Sequence, residues 1–141
     1  EASSLSWSLD MSGRGLSAVP AFIMNRQSLV VLNLSRNALS CVPPEISLLV
    51  NLVDLRLEAN SLSSLPTELS SVLFLQHINL SRNSFTEYPA VLLDLASLKT
   101  VLLDDNALSS VPLDLLTDQE TLERLSVTNN PLEESLQRLS P

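Results

Sequence analysis

The stretch LNLSRNALSCVP at residues 32–43 returns as LRLEANSLSSLP from Leu55, INLSRNSFTEYP from Ile78 and VLLDDNALSSVP from Val101. Each return follows the last by 23 residues. A degraded copy, LDMSGRGLSAVP, starts at Leu9 with Arg14 in the asparagine slot, and LSVTNNPL starts at Leu125 after one extra residue. Pro20, Pro43, Pro66, Pro89 and Pro112 keep the same spacing, as do Asn37, Asn60, Asn83 and Asn106. Self-similarity at this period constrains the fold more than any composition does, because a unit this short cannot enclose its own leucines and must stack on its neighbours. The 141 residues therefore read as a single domain, 1–141, with units starting near 6, 29, 52, 75, 98 and 122.

Leu55 and Leu57 are two apart, so on an extended segment they share one face while Asp54, Arg56 and Glu58 take the other. Stacked units place these short strands side by side in a parallel sheet and merge the leucines into one core. The prolines then turn the chain onto the far side, where only short helical turns fit. At the bend after each strand the backbone leaves its ladder, and an inward amide side chain supplies both a donor and an acceptor there. Asn37, Asn60, Asn83, Asn106 and Asn130 thus form a structural asparagine ladder.

The pattern Leu-x-x-Leu-x-Leu-x-x-Asn-x-Leu-x-x-Val/Leu-Pro, seen in Leu52, Leu55, Leu57, Asn60, Leu62, Leu65 and Pro66, resembles the leucine-rich repeat superfamily across almost the whole chain. The 23-residue unit with proline after Val/Leu is similar to the intracellular group that includes Ras-suppressor-like and scaffold proteins. The resemblance implies an α/β repeat fold: a right-handed solenoid, bent into an arc, with a short-stranded parallel concave sheet and short helical turns on the convex side. It also implies a protein-interaction module that uses its concave face.

Both ends depart toward polarity, as the ends of a solenoid require. Arg26 occupies the place of Leu49, Val72 and Leu95, and TDQE follows the last full repeat. Leu132, Leu136 and Leu139 predict a closing helix over 131–139. Trp7 is expected to cover the N-terminal edge. The chain opens on Glu1, which points to a processed terminus or a fragment of a longer protein.

A formal charge of −8 argues against nucleic acid and anionic membranes, and no apolar run is long enough to insert in a bilayer. Two glycines leave no Gly-rich phosphate loop. Cys41 is the only cysteine, and cysteine-rich caps are absent, which favours a reducing, cytoplasmic setting. The sequons Asn33-Leu34-Ser35 and Asn79-Leu80-Ser81 use the repeat's own spelling, and an extracellular fragment is the rival reading.

Alternation lists the outward face directly. Its rows run Ser8, Val31, Asp54, His77, Thr100, Arg124; then Asp10, Asn33, Arg56, Asn79, Leu102, Ser126; then Ser12, Ser35, Glu58, Ser81, Asp104, Thr128; then Gly13, Arg36, Ala59, Arg82, Asp105, Asn129. The candidate partner-binding set is Asp54, Arg56, Glu58, His77 and Asn79, with Arg36, Arg82, Asp104 and Asp105 around it and Leu102 and Val31 as apolar anchors. No nucleophile stands with a histidine and an orienting acid, so the chain is not expected to be an enzyme, and a small-molecule substrate is not expected. One histidine with scattered carboxylates does not make a metal site, and no cofactor is expected. On the far side, Val50, Leu73 and Ala96 recur at one position, with Phe74 adjacent, as a second possible interface. The other rival reading is the substrate-recognition region of a larger enzyme.

Overall fold

The computed structural model describes residues 7–112, 115 and 122–132. Each repeat contributes one three-residue strand: β1 (Ser8–Asp10), β2 (Val31–Asn33), β3 (Asp54–Arg56), β4 (His77–Asn79), β5 (Thr100–Leu102) and β6 (Arg124–Ser126). They form one parallel sheet in the order β1-β2-β3-β4-β5-β6, so every strand lies beside its neighbours in sequence. The register is the repeat itself, with Leu9 beside Leu32, then Leu55, Ile78, Val101 and Leu125. The extra residue of the last step is absorbed before β6, since Thr100 pairs with Arg124.

After the bends at Arg14, Asn37, Asn60 and Asn83 the chain reaches a proline with extended backbone, and a single 3-10 segment follows: Ala21–Asn25, Pro44–Leu48, Thr67–Ser71 and Ala90–Asp94. Proline sets φ for this turn and cannot donate to a longer helix. Ile23, Ile46, Leu69 and Leu92 each bury their side chains from these segments. The core runs between sheet and 3-10 segments, with Leu32, Leu55 and Val101 fully buried and Leu34, Leu57, Leu80 and Leu103 forming the next layer. Phe85 fills the slot of Leu39, Leu62 and Leu108, and Tyr88 that of Val42, where burial pushes its phenol pKa up.

The asparagines clamp successive units. Asn60 accepts from Leu39 N–H at 3.0 Å through Oδ1, while its Nδ2 donates to Leu34 O and Leu57 O, each at 3.0 Å. Asn83, Asn106 and Asn130 repeat the pattern one unit further each time. Asn37 closes the first bend by accepting from the N–H groups of Arg14 and Leu16. The Arg14 substitution is therefore tolerated, because this bend is satisfied from the unit that follows it.

Two sequence expectations change here. Trp7 does not cover an edge: its carbonyl accepts from Val30 and Val31 N–H, but the residue is 68% exposed. Ser35 stays beside outward-facing Asn33, donating its hydroxyl to Asn33 Oδ1 at 2.6 Å, but is 2% exposed rather than open to solvent. The closing helix expected over 131–139 lies, beyond Leu132, outside the described residues.

Candidate protein-binding surface

Leu55, Ile78 and Val101 point inward, so their strand neighbours must point out, and the register fixes which of these meet. Asp54 lies beside His77, Arg56 beside Asn79, and Asn79 beside Leu102. Asp54 and His77 stay neighbours without an ion pair between them, and the ion pair lies within β3, where Arg56 donates to Asp54 at 3.1 Å. The long arginine side chain spans the step of about 6.7 Å between these two same-face positions. That hydrogen bond and the Asp54 charge hold the Arg56 pKa above its ordinary value. A shallow hollow of about 170 Å³ lies between Asp54, Arg56, His77, Asn79, Thr100 and Leu102.

A second hollow, of about 310 Å³, opens where the strands end, and Arg36, Glu58, Arg82, Asp104 and Asp105 line it together with Asn79. Its rim depends on a backbone feature that the residue types conceal. Arg36, Ala59, Arg82, Asp105 and Asn129 all have φ between 55° and 59°, and Gly13, at the same position, has φ 64°. The left-handed turn lets the residues from Gly13 to Asp105 aim their N–H groups at the next unit: Arg36 donates to Glu58 O at 2.9 Å and Arg82 to Asp104 O at 2.8 Å. The side chains are thereby carried to the rim. The presence of Gly13 and Asn129 at this position, both tolerant of positive φ, was the signal in the sequence.

The acids of this rim differ in how well they are satisfied. Burial alone would raise the Asp104 pKa, but hydrogen bonds from Ser126 Oγ at 2.6 Å and Thr128 N–H at 2.8 Å outweigh it and hold it below the usual value. Asp105 accepts from Asn129 Nδ2 at 2.9 Å and faces Arg82 at 3.9 Å. Glu58 Oε1 is buried with no hydrogen-bond partner.

The ten candidate face residues thus fall into two adjoining hollows, joined at Asn79, which lines both. Val31 is only half-buried on β2. Cys41 is exposed in the turn after the first full bend, off the strands. Among the described residues no group of three or more His, Cys, Asp or Glu is placed to hold a metal ion. No described helix is long and apolar enough to cross a membrane. On the other side Val50, Leu73 and Phe74 are 48%, 64% and 58% exposed, beside exposed Ala96.

Residues 28–49 and 74–95 match the Leucine Rich Repeat family. No curated protein matches the sequence. Among solved structures, the chain is similar to a leucine-rich-repeat protein of Leptospira interrogans, at 31% identity and a TM-score of 0.83 over 88% of this chain and 31% of that one. It is also similar to the ectodomain of the Arabidopsis thaliana membrane receptor kinase GASSHO1/SCHENGEN3, solved in complex with Casparian strip integrity factor 2, at 27% identity and a TM-score of 0.73 over 92% of this chain and 16% of that one. Internalin C2 of Listeria monocytogenes follows at 25% identity and a TM-score of 0.76, with 89% of this chain and 53% of that one covered. The chain thus spans less than two thirds of each of these proteins. The fold is a leucine-rich-repeat solenoid, an architecture that generally serves protein–protein interaction.

Proposed function

We propose that this solenoid is a non-catalytic module that binds a protein partner on the outward, concave face of its sheet, in the manner of the 23-residue intracellular scaffold group. The observation that carries the reading is the pair of adjoining hollows, in which Asp54, Arg56, His77 and Leu102 meet Arg36, Glu58, Arg82, Asp104 and Asp105 through the shared Asn79. A surface with charges of both signs around a half-buried leucine suits a folded protein better than a nucleic acid or an anionic membrane, either of which would meet a net charge of −8. The exposed, lone Cys41 supports a reducing, cytoplasmic setting.

Paired affinity purification tests the reading. The wild-type array is compared with a variant carrying Asp54→Ala, Arg56→Ala, Glu58→Ala and His77→Ala, both first shown to melt alike. Capture of a protein by the wild type alone supports binding on the sheet face. Equal capture by both moves the interface to the Val50, Leu73 and Phe74 side.

The likeness to a plant receptor ectodomain favours a second reading, an extracellular recognition fragment. Asn33 and Asn79 keep their sequons on the strands, with Oδ1 occupied by the N–H groups of Ser35 and Ser81. Secretion of the chain followed by intact-mass measurement separates the two settings, since a glycan at either asparagine requires the secretory route.

A further inference from the structure

The strand-end rim alternates in sign from unit to unit. Arg36 stands in the unit of β2, Glu58 in that of β3, Arg82 in that of β4, and Asp104 with Asp105 in that of β5, all around one hollow. The order along the array is plus, minus, plus, minus. Backbone bonds fix the spacing, because Arg36 N–H reaches Glu58 O and Arg82 N–H reaches Asp104 O in direct register.

We propose that the partner docks on this rim as an α-helix lying along the array, presenting an acid, a base, an acid and a base on successive turns. This rests on the reading of the sheet face as a protein-binding surface and supplies the chemistry of the partner. Neighbouring strands lie about 4.8 Å apart, so three steps along the rim cover about 14 Å. Three turns of an α-helix cover about 16 Å. Three same-face steps of an extended strand cover about 20 Å. A mismatch of about 2 Å is within the reach of flexible lysine and glutamate side chains, whereas about 6 Å shifts the last position beyond the next unit.

The rim selects charge order as well as spacing. A uniformly basic or uniformly acidic segment meets a like charge in two of the four units, which is repulsive. The groups are open to such a partner. Arg36 forms no ion pair among the described residues, and the Arg82–Asp105 contact is loose at 3.9 Å between side chains 75% and 42% exposed. Glu58 is half-buried and forms no ion pair among the described residues, so a lysine at the second position meets this charge at the more open part of its carboxylate.

Two alanine-rich peptides of about 18 residues, stapled on the outward face to hold them helical, test this by fluorescence anisotropy against the full chain. One carries Glu, Lys, Glu and Lys at i, i+4, i+7 and i+11, and the other has the same composition ordered Glu, Glu, Lys, Lys. The segregated order mismatches the rim in either helix direction. The alternating peptide is expected to bind about tenfold more tightly, equivalent to about 1.4 kcal/mol. The preference should fade at about 1 M salt and disappear in the Arg36→Glu/Arg82→Glu variant, provided that variant melts like the wild type. Equal affinity of the two peptides, or no binding of either at millimolar concentration, overturns the helical partner. If the face variant of the capture experiment still loses its partner, the protein-binding reading survives that failure.

Discussion

At the residue scale, two positions that sit side by side in every unit do opposite things. Asn60 satisfies groups in its own unit and in the unit before, so Asn60→Ala strands Leu39 N–H and takes one of two amide donors from each of Leu34 O, which keeps Asn37, and Leu57 O, which keeps Asn83. The expected cost is about 1–3 kcal/mol for the unsatisfied groups, measured by urea unfolding. Ala59, immediately before it, carries φ 59°. Ala→Gly in regular structure destabilises by about 1 kcal/mol, but here glycine relieves a left-handed backbone and Ala59→Gly should stabilise by up to about 1 kcal/mol. Destabilisation by Ala59→Gly would contradict the left-handed assignment. The asparagine role was legible in the sequence because an amide repeated at a bend has one job. The left-handed position before it was less so, because arginine, alanine and aspartate there mask a preference that only Gly13 and Asn129 disclose. Ser35 and the Asp54–Arg56 pair were illegible for a different reason: alternation predicts which face a side chain leaves from, not which neighbour it then bends toward.

At the element scale the unit is one strand, one asparagine bend and one 3-10 segment, and its core contacts are with the units on either side. Leu55 lies fully buried between Leu32 and Ile78. Leu55→Ala should therefore cost about 2–5 kcal/mol by thermal or denaturant melting, with the cavity closing poorly between two fixed layers. The 3-10 segments were readable as short turns from the proline spacing, and the parallel register followed from the period. The end of the array shows an acid-sensitive joint. Asp104 ties β6 to β5 through Ser126 and Thr128, and its pKa is lowered in the fold from 3.8. A depressed carboxylate contributes stability that is present above its unfolded value and is lost as pH falls through the lower folded value. The Thr128 amide, which donates to Asp104, should thus lose exchange protection selectively below about pH 3.8 in the wild type. Asp104→Asn should remove that step while leaving exchange in β2 to β4 unchanged.

At the scale of the whole molecule, a stack of near-identical units turns a one-dimensional repeat into a surface on which residues 23 apart become neighbours. The ten face residues named from alternation do line two adjoining hollows, because a parallel sheet in perfect register leaves no freedom in which residues meet. Their charge order was present in the sequence too, but the hollow at the strand ends depends on the left-handed turn, and so its walls emerge only in three dimensions. On the proposed function, a protein partner sits on this face. Site-specific photocrosslinking in cells tests it most directly, with a photoreactive amino acid placed at Leu102 on the sheet face or at Phe74 on the opposite side, in proteins of equal thermal stability. A crosslinked partner is expected from position 102, lost when Asp54, Arg56, Glu58 and His77 are changed to alanine, and none from position 74. A partner crosslinked from 74 and not from 102 would contradict it.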